Sequence, residues 1–248
     1  MRNYATAQQT GTDPIQCDAT AVSTAPDGTR AYVLLDGIGR SESVREWTRA
    51  AARRLARAAS RRGDAEAGLR HVYNRYALER APHGAGPKAA AVVAVVTPGK
   101  LTVAWCGDSR AYLITDGLVE KLTNDHNLRR VYPPNNLHSG GNRNRITSCL
   151  GSSDSDEDVL NTYGHPAIEA LTRPMAKARL VLASDGAYEP IEDGGYGYYD
   201  AMFQIRPSHA ARALTAVAVD HAECTSRGLD PARVYADNAT ALVADLQP

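Results

Sequence analysis

The chain has 248 residues, of which 28 are basic and 28 acidic, so its formal net charge is zero. That balance argues against a protein that holds nucleic acid by phosphate attraction. No window approaches the roughly 20 consecutive apolar residues of a membrane span, and no secretion signal opens the chain. The sequence has neither an internal repeat nor a long linker, so we expect a single domain over residues 1–248. Because we find no membrane span or secretion signal, we expect that domain to be cytoplasmic.

The first predicted element is a hairpin. Strand-like runs cover residues 19–24 and 30–36, and Asp27-Gly28 between them is typical of a two-residue turn. Paired residue numbers then sum to about 55, which places Asp18 or its neighbour opposite Asp36. With a one-residue bulge, the two aspartates would lie side by side at one end of the hairpin.

Two helices are predicted next, over residues 41–60 and about 64–81. Apolar residues recur there at helical spacing, and Ser41 or Ser43 can cap the first helix. The arginines of that first helix fall largely on the other face, where we interpret them as a solvated surface rather than an anion site.

The sequence in the middle of the chain predicts several consecutive strands. Residues 89–97 form a continuous apolar run, which favours a strand buried on both faces, and the run 101–106 returns from it. Asp116-Gly117 then predicts a tight turn between strands 110–115 and 118–122. Partners across that turn sum to about 233, which brings Asp108 close to Asp125.

The rest of the chain is predicted to contain a loop, a strand, a helix and a final strand, over residues 129–145, 178–183, 208–226 and 239–246 respectively. Because strands follow one another as meanders rather than in βαβ alternation, we expect antiparallel sheets covered by helices, an α+β fold.

Aspartates stand at the ends of several of these strands: Asp18, Asp36, Asp185 and Asp237. Hard cations such as Mg²⁺ and Mn²⁺ prefer carboxylate, carbonyl and water oxygens, and a pair of them can support in-line attack on a phosphoryl group. Each aspartate taken alone is more often a turn or cap residue, so only the set suggests a metal centre.

The chain resembles the metal-dependent Ser/Thr protein phosphatases of the protein phosphatase 2C (PPM) type, in a bacterial-like single-domain form. The matching runs, in family order, are 33–39 (VLLDGIG), 107–112 (GDSRAY), 122–126 (LTNDH), 145–151 (RITSCLG), 180–186 (LVLASDG) and 237–240 (DNAT).

The resemblance implies a four-layer α-β-β-α sandwich and hydrolysis of phosphoserine and phosphothreonine at two Mn²⁺ or Mg²⁺ ions, with a third, weaker metal in some members. It implies catalytic roles for Asp36, which would bridge both metals, and Asp18, which would orient waters. The other implied metal ligands are the Gly37 carbonyl, Asp185, Asp237 and, for the third ion, Asp108.

One part of the chain departs from the family pattern. The first family motif carries an arginine that clamps the substrate phosphate, whereas Asp13 stands near its place here. Arg40, Arg143 and Arg145 are alternative clamps. Ile38 replaces a histidine suspected of protonating the leaving group, and His126 is an alternative acid or a structural residue.

Two functions therefore remain open. The retained aspartates favour an active phosphatase in signal transduction, acting as a monomer on a phosphorylated protein and without nucleic acid or membrane partners. The altered first motif favours a catalytically weakened binding or regulatory module on the same fold. A Ser-His-Asp hydrolase is a distant third, because the chain has no G-x-S-x-G motif.

Overall fold

Two antiparallel five-stranded sheets form the centre of the computed structural model, which describes residues 3–79, 86–195 and 199–247. The first sheet contains, in spatial order, β1 (Tyr4–Gln9), β10 (Ala239–Leu246), β9 (Ala178–Ala183), β6 (Arg110–Thr115) and β7 (Leu118–Lys121). The second contains β2 (Ala19–Thr24), β3 (Arg30–Gly37), β4 (Ala89–Thr97), β5 (Lys100–Cys106) and β8 (Glu169–Pro174).

Helices cover the outer face of each sheet. The second sheet is covered by α1 (Glu42–Arg62) and α2 (Ala65–Glu79), with α4 (Asp156–Tyr163) at the margin of the same apolar core. The first is covered by α5 (Asp185–Asp193), α6 (Tyr199–Met202) and α7 (Pro207–Leu229), and α3 (Leu128–Val131) is a single turn. The expected four-layer α-β-β-α sandwich is confirmed.

The core between the sheets is built by alternate residues of the central strands. Leu34 and Val92 of the second sheet meet Leu182 and Leu242 of the first, and all four are buried. The intervening residues of β4, such as Val93, face α1 and α2 instead. The continuous apolar run of β4 is therefore buried on both faces, as the sequence predicts.

The β2–β3 hairpin turns over a longer loop than the predicted two-residue turn. Thr24 pairs with Arg30 and Ala19 with Leu35, a register one residue shorter than predicted. Gly28, with φ +87°, supplies the left-handed residue of a bulged turn and donates to the Ala25 carbonyl at 3.0 Å. Continued one step, the observed register sets Asp18 opposite Asp36.

The meander predicted for the middle of the chain is interrupted. The β6–β7 register is confirmed, with Tyr112 opposite Lys121, but β5 and β6 lie in different sheets. The chain passes between the sheets at Gly107, whose φ is +107° and whose added Cβ would stand 2.6 Å from the Cα of Ala90. The segment that carries Asp108 is thus a crossing between sheets rather than a hairpin end.

Elsewhere, the predicted boundaries of helices and strands agree with the structure to within a few residues. Ser41 caps α1 by accepting from the amide of Val44, and Gly63 ends the helix in the left-handed conformation. The sequence reasoning missed β1, β8, α4, α5 and the single-turn helices α3 and α6, and the start of the predicted loop over residues 129–145 is the helical turn α3. No helix in the described part of the chain is both long enough and apolar enough to cross a membrane.

Close packing of α1 on α2 gives a test of the fold. A Cβ at Gly68 would lie 2.5 Å from the Cα of Ala59, whereas one at Gly228, in α7, would meet nothing within 4 Å. We expect Gly68→Ala to lower the free energy of unfolding in urea by roughly 1–3 kcal/mol through overpacking. Gly228→Ala is the matched control and should raise it by at most about 1 kcal/mol. Equal effects of the two substitutions would contradict the close helix contact.

Candidate metal centre

The strand ends of both sheets deliver aspartates to one end of the sandwich. Asp18 directly precedes β2 and Asp36 is the penultimate residue of β3, at the same end of that hairpin. Asp185 follows β9 and Asp237 precedes β10, whose pairing of Ala183 with Ala241 sets these two aspartates at a common end as well.

Main-chain amides orient two of these carboxylates. Asp185 begins α5 and accepts from the amide of Gly186 at 2.7 Å, and Asp237 accepts from the amide of Asn238 at 2.8 Å. The close approach of Gly186 to the Asn238 carbonyl, 2.2 Å from where a Cβ would stand, keeps the start of α5 against the start of β10. The two carboxylates therefore arise from rigidly joined segments.

Asp36 and Asp185 contact each other through their side chains. Burial and then repulsion from Asp185 and Asp18 raise the pKa of Asp36 well above its usual range, and the Asp36 carboxyl hydrogen-bonds to Asp185. Burial also raises the pKa of Asp185, with Asp237 adding to the effect and the hydrogen bond from Asp36 opposing it. Two carboxylates this close repel each other, which favours protonation of one of them unless a cation lies between them.

Asp18 lies beneath this pair and is almost fully buried. Neither of its carboxylate oxygens has a hydrogen-bond partner, although the hydroxyls of Thr240 and Ser184 are close enough to oppose the rise of its pKa. Burial, followed by repulsion from Asp185, raises that pKa to about 8. A buried carboxylate without partners requires an explanation, such as an ion or ordered water.

Asp108 is held at the crossing between the sheets. Its side chain is buried, Oδ1 has no partner, and burial with repulsion from Asp185 and Asp125 raises its pKa well above the usual range. The predicted proximity of Asp108 and Asp125 is thus confirmed. The Tyr188 hydroxyl donates to the main-chain carbonyl of Asp108 at 2.9 Å.

Arg110 stabilises the surroundings of Asp108 through contacts with other side chains. Its Nε and Nη2 bind Asp125 at 2.9 and 2.7 Å, its Nη1 binds Glu192 at 2.8 Å, and its guanidinium lies 3.7 Å from the Tyr188 ring centroid. Such a bidentate, stacked arginine is a strong positional restraint. Arg110 thereby holds the residue that supports the Asp108 main chain.

The residues present fit hard divalent cations in their donor chemistry. All side-chain donors are carboxylates, and three buried oxygens of Asp18 and Asp108 lack partners among the described residues. Asp36 and Asp185 repel each other, and a cation between them would relieve that repulsion. Gly37, the last residue of β3, is buried with its Cα packed against the Cys17 carbonyl. Within the described residues, however, no three His, Cys, Asp or Glu side chains are already arranged around one point.

Sequence reasoning missed a second layer of ionisable residues beside this centre. Glu189 lies one helical turn after Asp185, and burial with repulsion from Asp185 raises its pKa to about 8. Arg143 binds it at 3.0 Å, and the guanidinium also makes a two-pronged contact with Asp193. These residues line a cavity of about 300 Å³ that reaches Asp185 and Asp237. An Asp-to-Glu spacing of four would have indicated Glu189 had α5 been predicted.

The segment around Asp13, where the sequence departs from the family pattern, makes specific contacts in the folded protein. Asp13 forms an ion pair with Arg40, 3.2 Å from Oδ1 to Nε, and Arg40 Nη2 donates to the Tyr235 hydroxyl at 3.0 Å. His126, by contrast, is fully buried and bonded through Nε2 to Glu169 at 2.9 Å. It makes no described contact with the aspartates, and Ile38 is partly exposed.

Comparison with known proteins finds similarity to protein phosphatases over part of the chain. A family model described as protein phosphatase 2C matches residues 42–131, which include Asp108 but not the other four aspartates. The chain is similar to the probable protein phosphatase 2C 8 of Oryza sativa subsp. japonica, 35% identical over 112 residues. That match covers 42% of the chain but only 28% of the rice protein, so the chain spans less than a third of this relative.

Solved structures extend the likeness to the whole fold. The Mycobacterium tuberculosis serine/threonine phosphatase PstP/Ppp superposes with a TM-score of 0.68 at 20% identity, covering 99% of this chain and 98% of that one. The serine/threonine phosphatase Stp1 of Staphylococcus aureus gives 0.67 at 20% identity, covering 100% and 96%. At such identities the superpositions establish the fold alone. The chain therefore has the fold of these phosphatases, and its sequence is similar to protein phosphatase 2C over residues 42–131.

Proposed function

We propose that the protein is a metal-dependent phosphatase that hydrolyses phosphoserine and phosphothreonine in proteins. The observation that carries the proposal is the group of carboxylates at one end of the sandwich. Among the described residues, Asp18 and Asp108 have buried oxygens without partners, and Asp36 and Asp185 are close enough to repel each other. Because such a group is unfavourable without positive charge, it is an arrangement that divalent cations stabilise.

Particular residues would hold these ions. Asp36 would be a ligand of both of two Mn²⁺ or Mg²⁺ ions and Gly37 would contribute its carbonyl. Asp185 and Asp237 would hold one of the two ions, and Asp108 a weaker third. When bound, such ions lower the pKa of water and neutralise charge on a phosphoryl group. Asp18, buried behind Asp36, can accept protons from water molecules in the site. The amides of Gly186 and Asn238 keep Asp185 and Asp237 oriented, which limits the reorganisation that catalysis requires.

A catalytically weakened binding module is the second candidate, and a specific observation favours it. Asp13 places a negative charge near the position where the family resemblance implies a phosphate-binding arginine. A charge-assisted contact to phosphate contributes roughly 1.5–3 kcal/mol, so its loss would slow turnover while leaving metal binding intact. The two candidates therefore differ in activity rather than in metal affinity.

The activity is tested with Mn²⁺, using p-nitrophenyl phosphate and a phosphoserine peptide. We expect hydrolysis that chelation abolishes and that Asp185→Asn lowers by about 100-fold or more, since it removes a carboxylate from the metal site. Asp116→Asn is the matched control, because it makes the same chemical change at an exposed turn. Asparagine also tolerates the positive φ of 50° at that position. Calorimetric Mn²⁺ binding without hydrolysis would instead establish the weakened module.

The metal-free protein should also respond to pH in a defined direction. The pKa of Asp18 is about 8 in the folded protein against an ordinary value of 3.8, so the folded state holds this proton more tightly. Stability from this group is therefore fully present below about pH 4 and is lost as pH rises towards 8. We expect the urea midpoint in chelator to fall between pH 5 and pH 8, and Mn²⁺ to oppose that fall because a bound cation favours the ionised carboxylates.

The matched variant for this experiment is Asp18→Asn, which is similar in shape and cannot ionise. It should show a shallower fall of the urea midpoint between pH 5 and pH 8 in chelator. A wild-type midpoint that is constant or rises over this range, or an unchanged slope in Asp18→Asn, would contradict the buried, unpaired state of this carboxylate.

A further inference from the structure

A phosphate monoester dianion approaching this site meets a rim of aspartates, so a fixed cation at the rim would favour its binding. Three arginines are candidates by position in the sequence: Arg40, Arg143 and Arg145. The structure distinguishes them by where each guanidinium lies and how many of its donors other protein groups already occupy.

Arg143 is near the site, but each of its three nitrogens already binds a carboxylate. Nε binds Glu189, and Nη1 and Nη2 bind the two carboxylate oxygens of Asp193. Withdrawing it would leave Glu189 without its ion pair beside Asp185. Arg145 is exposed, and its described hydrogen bonds are main-chain contacts with Leu128 and Asn142. Neither arginine is arranged to bind a phosphate at the aspartates.

Arg40 lies just beyond the end of β3, the strand that carries Asp36 and Gly37. It follows Gly37 by three residues, its side chain is 62% exposed, and the buried Asp13 holds its Nε. The segment carrying Asp13 is itself fastened beside Asp237. The amide of Thr12 donates to the Ala236 carbonyl at 2.9 Å, and the amide of Cys17 donates to Asn238 Oδ1 at 2.7 Å.

Tyr235 completes the support of this guanidinium. Its hydroxyl accepts from Arg40 Nη2, and its ring centroid lies 5.2 Å from Arg40 Cζ. The pKa of Arg40 is raised, chiefly by Tyr235, then by Asp13 and more weakly by Asp237. Because Tyr235 stands two residues before Asp237, its contacts hold the Arg40 guanidinium beside the segment that carries a proposed metal ligand.

We propose that Arg40 is the residue that binds the phosphate of the substrate, oriented by Asp13 and Tyr235. The described contacts use one edge of the guanidinium, Nε and Nη2, and leave Nη1 and the second Nη2 hydrogen for two parallel bonds to phosphate oxygens. An ion pair in which the basic partner is largely exposed contributes little by itself, so a dianion can compete for this cation. The assignment rests on the proposed function only for the identity of the substrate.

The test is calorimetric binding of inorganic phosphate to the Mg²⁺-loaded full chain, because this ligand is not turned over. We expect Arg40→Ala to raise the Kd for phosphate by about 10- to 100-fold, the equivalent of a lost charge-assisted contact. Arg40→Lys should fall between Arg40→Ala and wild type, since it keeps the charge and loses the two-pronged geometry. Arg145→Ala is the matched control and should bind phosphate as wild type does.

Three further measurements separate binding from folding and from the general proposal. The Mg²⁺ affinity of Arg40→Ala should equal that of wild type, and its KM for p-nitrophenyl phosphate should rise more than its kcat falls. Its urea midpoint should fall because the buried Asp13 loses its ion pair, but the variant should still unfold cooperatively. Wild-type phosphate affinity in Arg40→Ala would overturn the assignment even if the enzyme is active. Conversely, an inactive wild type whose phosphate binding depends on Arg40 would refute the phosphatase activity and support the assignment.

Discussion

Repulsion among carboxylates gathered in a partly buried space is the constraint on which the rest of this structure depends. Asp36 and Asp185 repel each other and the buried Asp18 and Asp108, and burial makes each of these four charges harder to hold. Burial and mutual repulsion raise the pKa of Asp36 and of Asp185, which favours the protonated form of these groups. Under the proposed function, divalent cations would meet the same constraint by neutralising the carboxylates.

Only a stiff scaffold can hold such a group together. Each aspartate is attached to the end of a strand whose interior residues are buried between the sheets or under a helix, so moving it would disturb a close-packed core. The two sheets contribute different members, and the crossing at Gly107 adds Asp108 from between them. The site therefore depends on how the two sheets are packed, since neither sheet alone carries the whole set.

The charges around the rim are arranged in two different ways. On one side, Arg143 is bound by Glu189 and Asp193 and forms part of the wall. On the other, Arg40 has a single ion pair and an exposed guanidinium. The structure thus explains Asp13, the negative residue at the place where the first motif departs from the family pattern. Asp13 forms an ion pair with Arg40, which comes from a different part of the chain. The exposed arginine is the one able to respond to a substrate.

Local sequence alone determined most strands, the long helices and the register across Asp116-Gly117, because apolar periodicity and a two-residue turn act over a few neighbouring residues. It also placed four aspartates at strand ends. It did not predict that β5 and β6 lie in different sheets, nor α5, whose Gly186 and Pro190 weaken the helical pattern. Tertiary structure alone decided the partner of Arg40, because that contact requires residues 10–18 to pack against residues 236–238, more than 200 positions away in the chain.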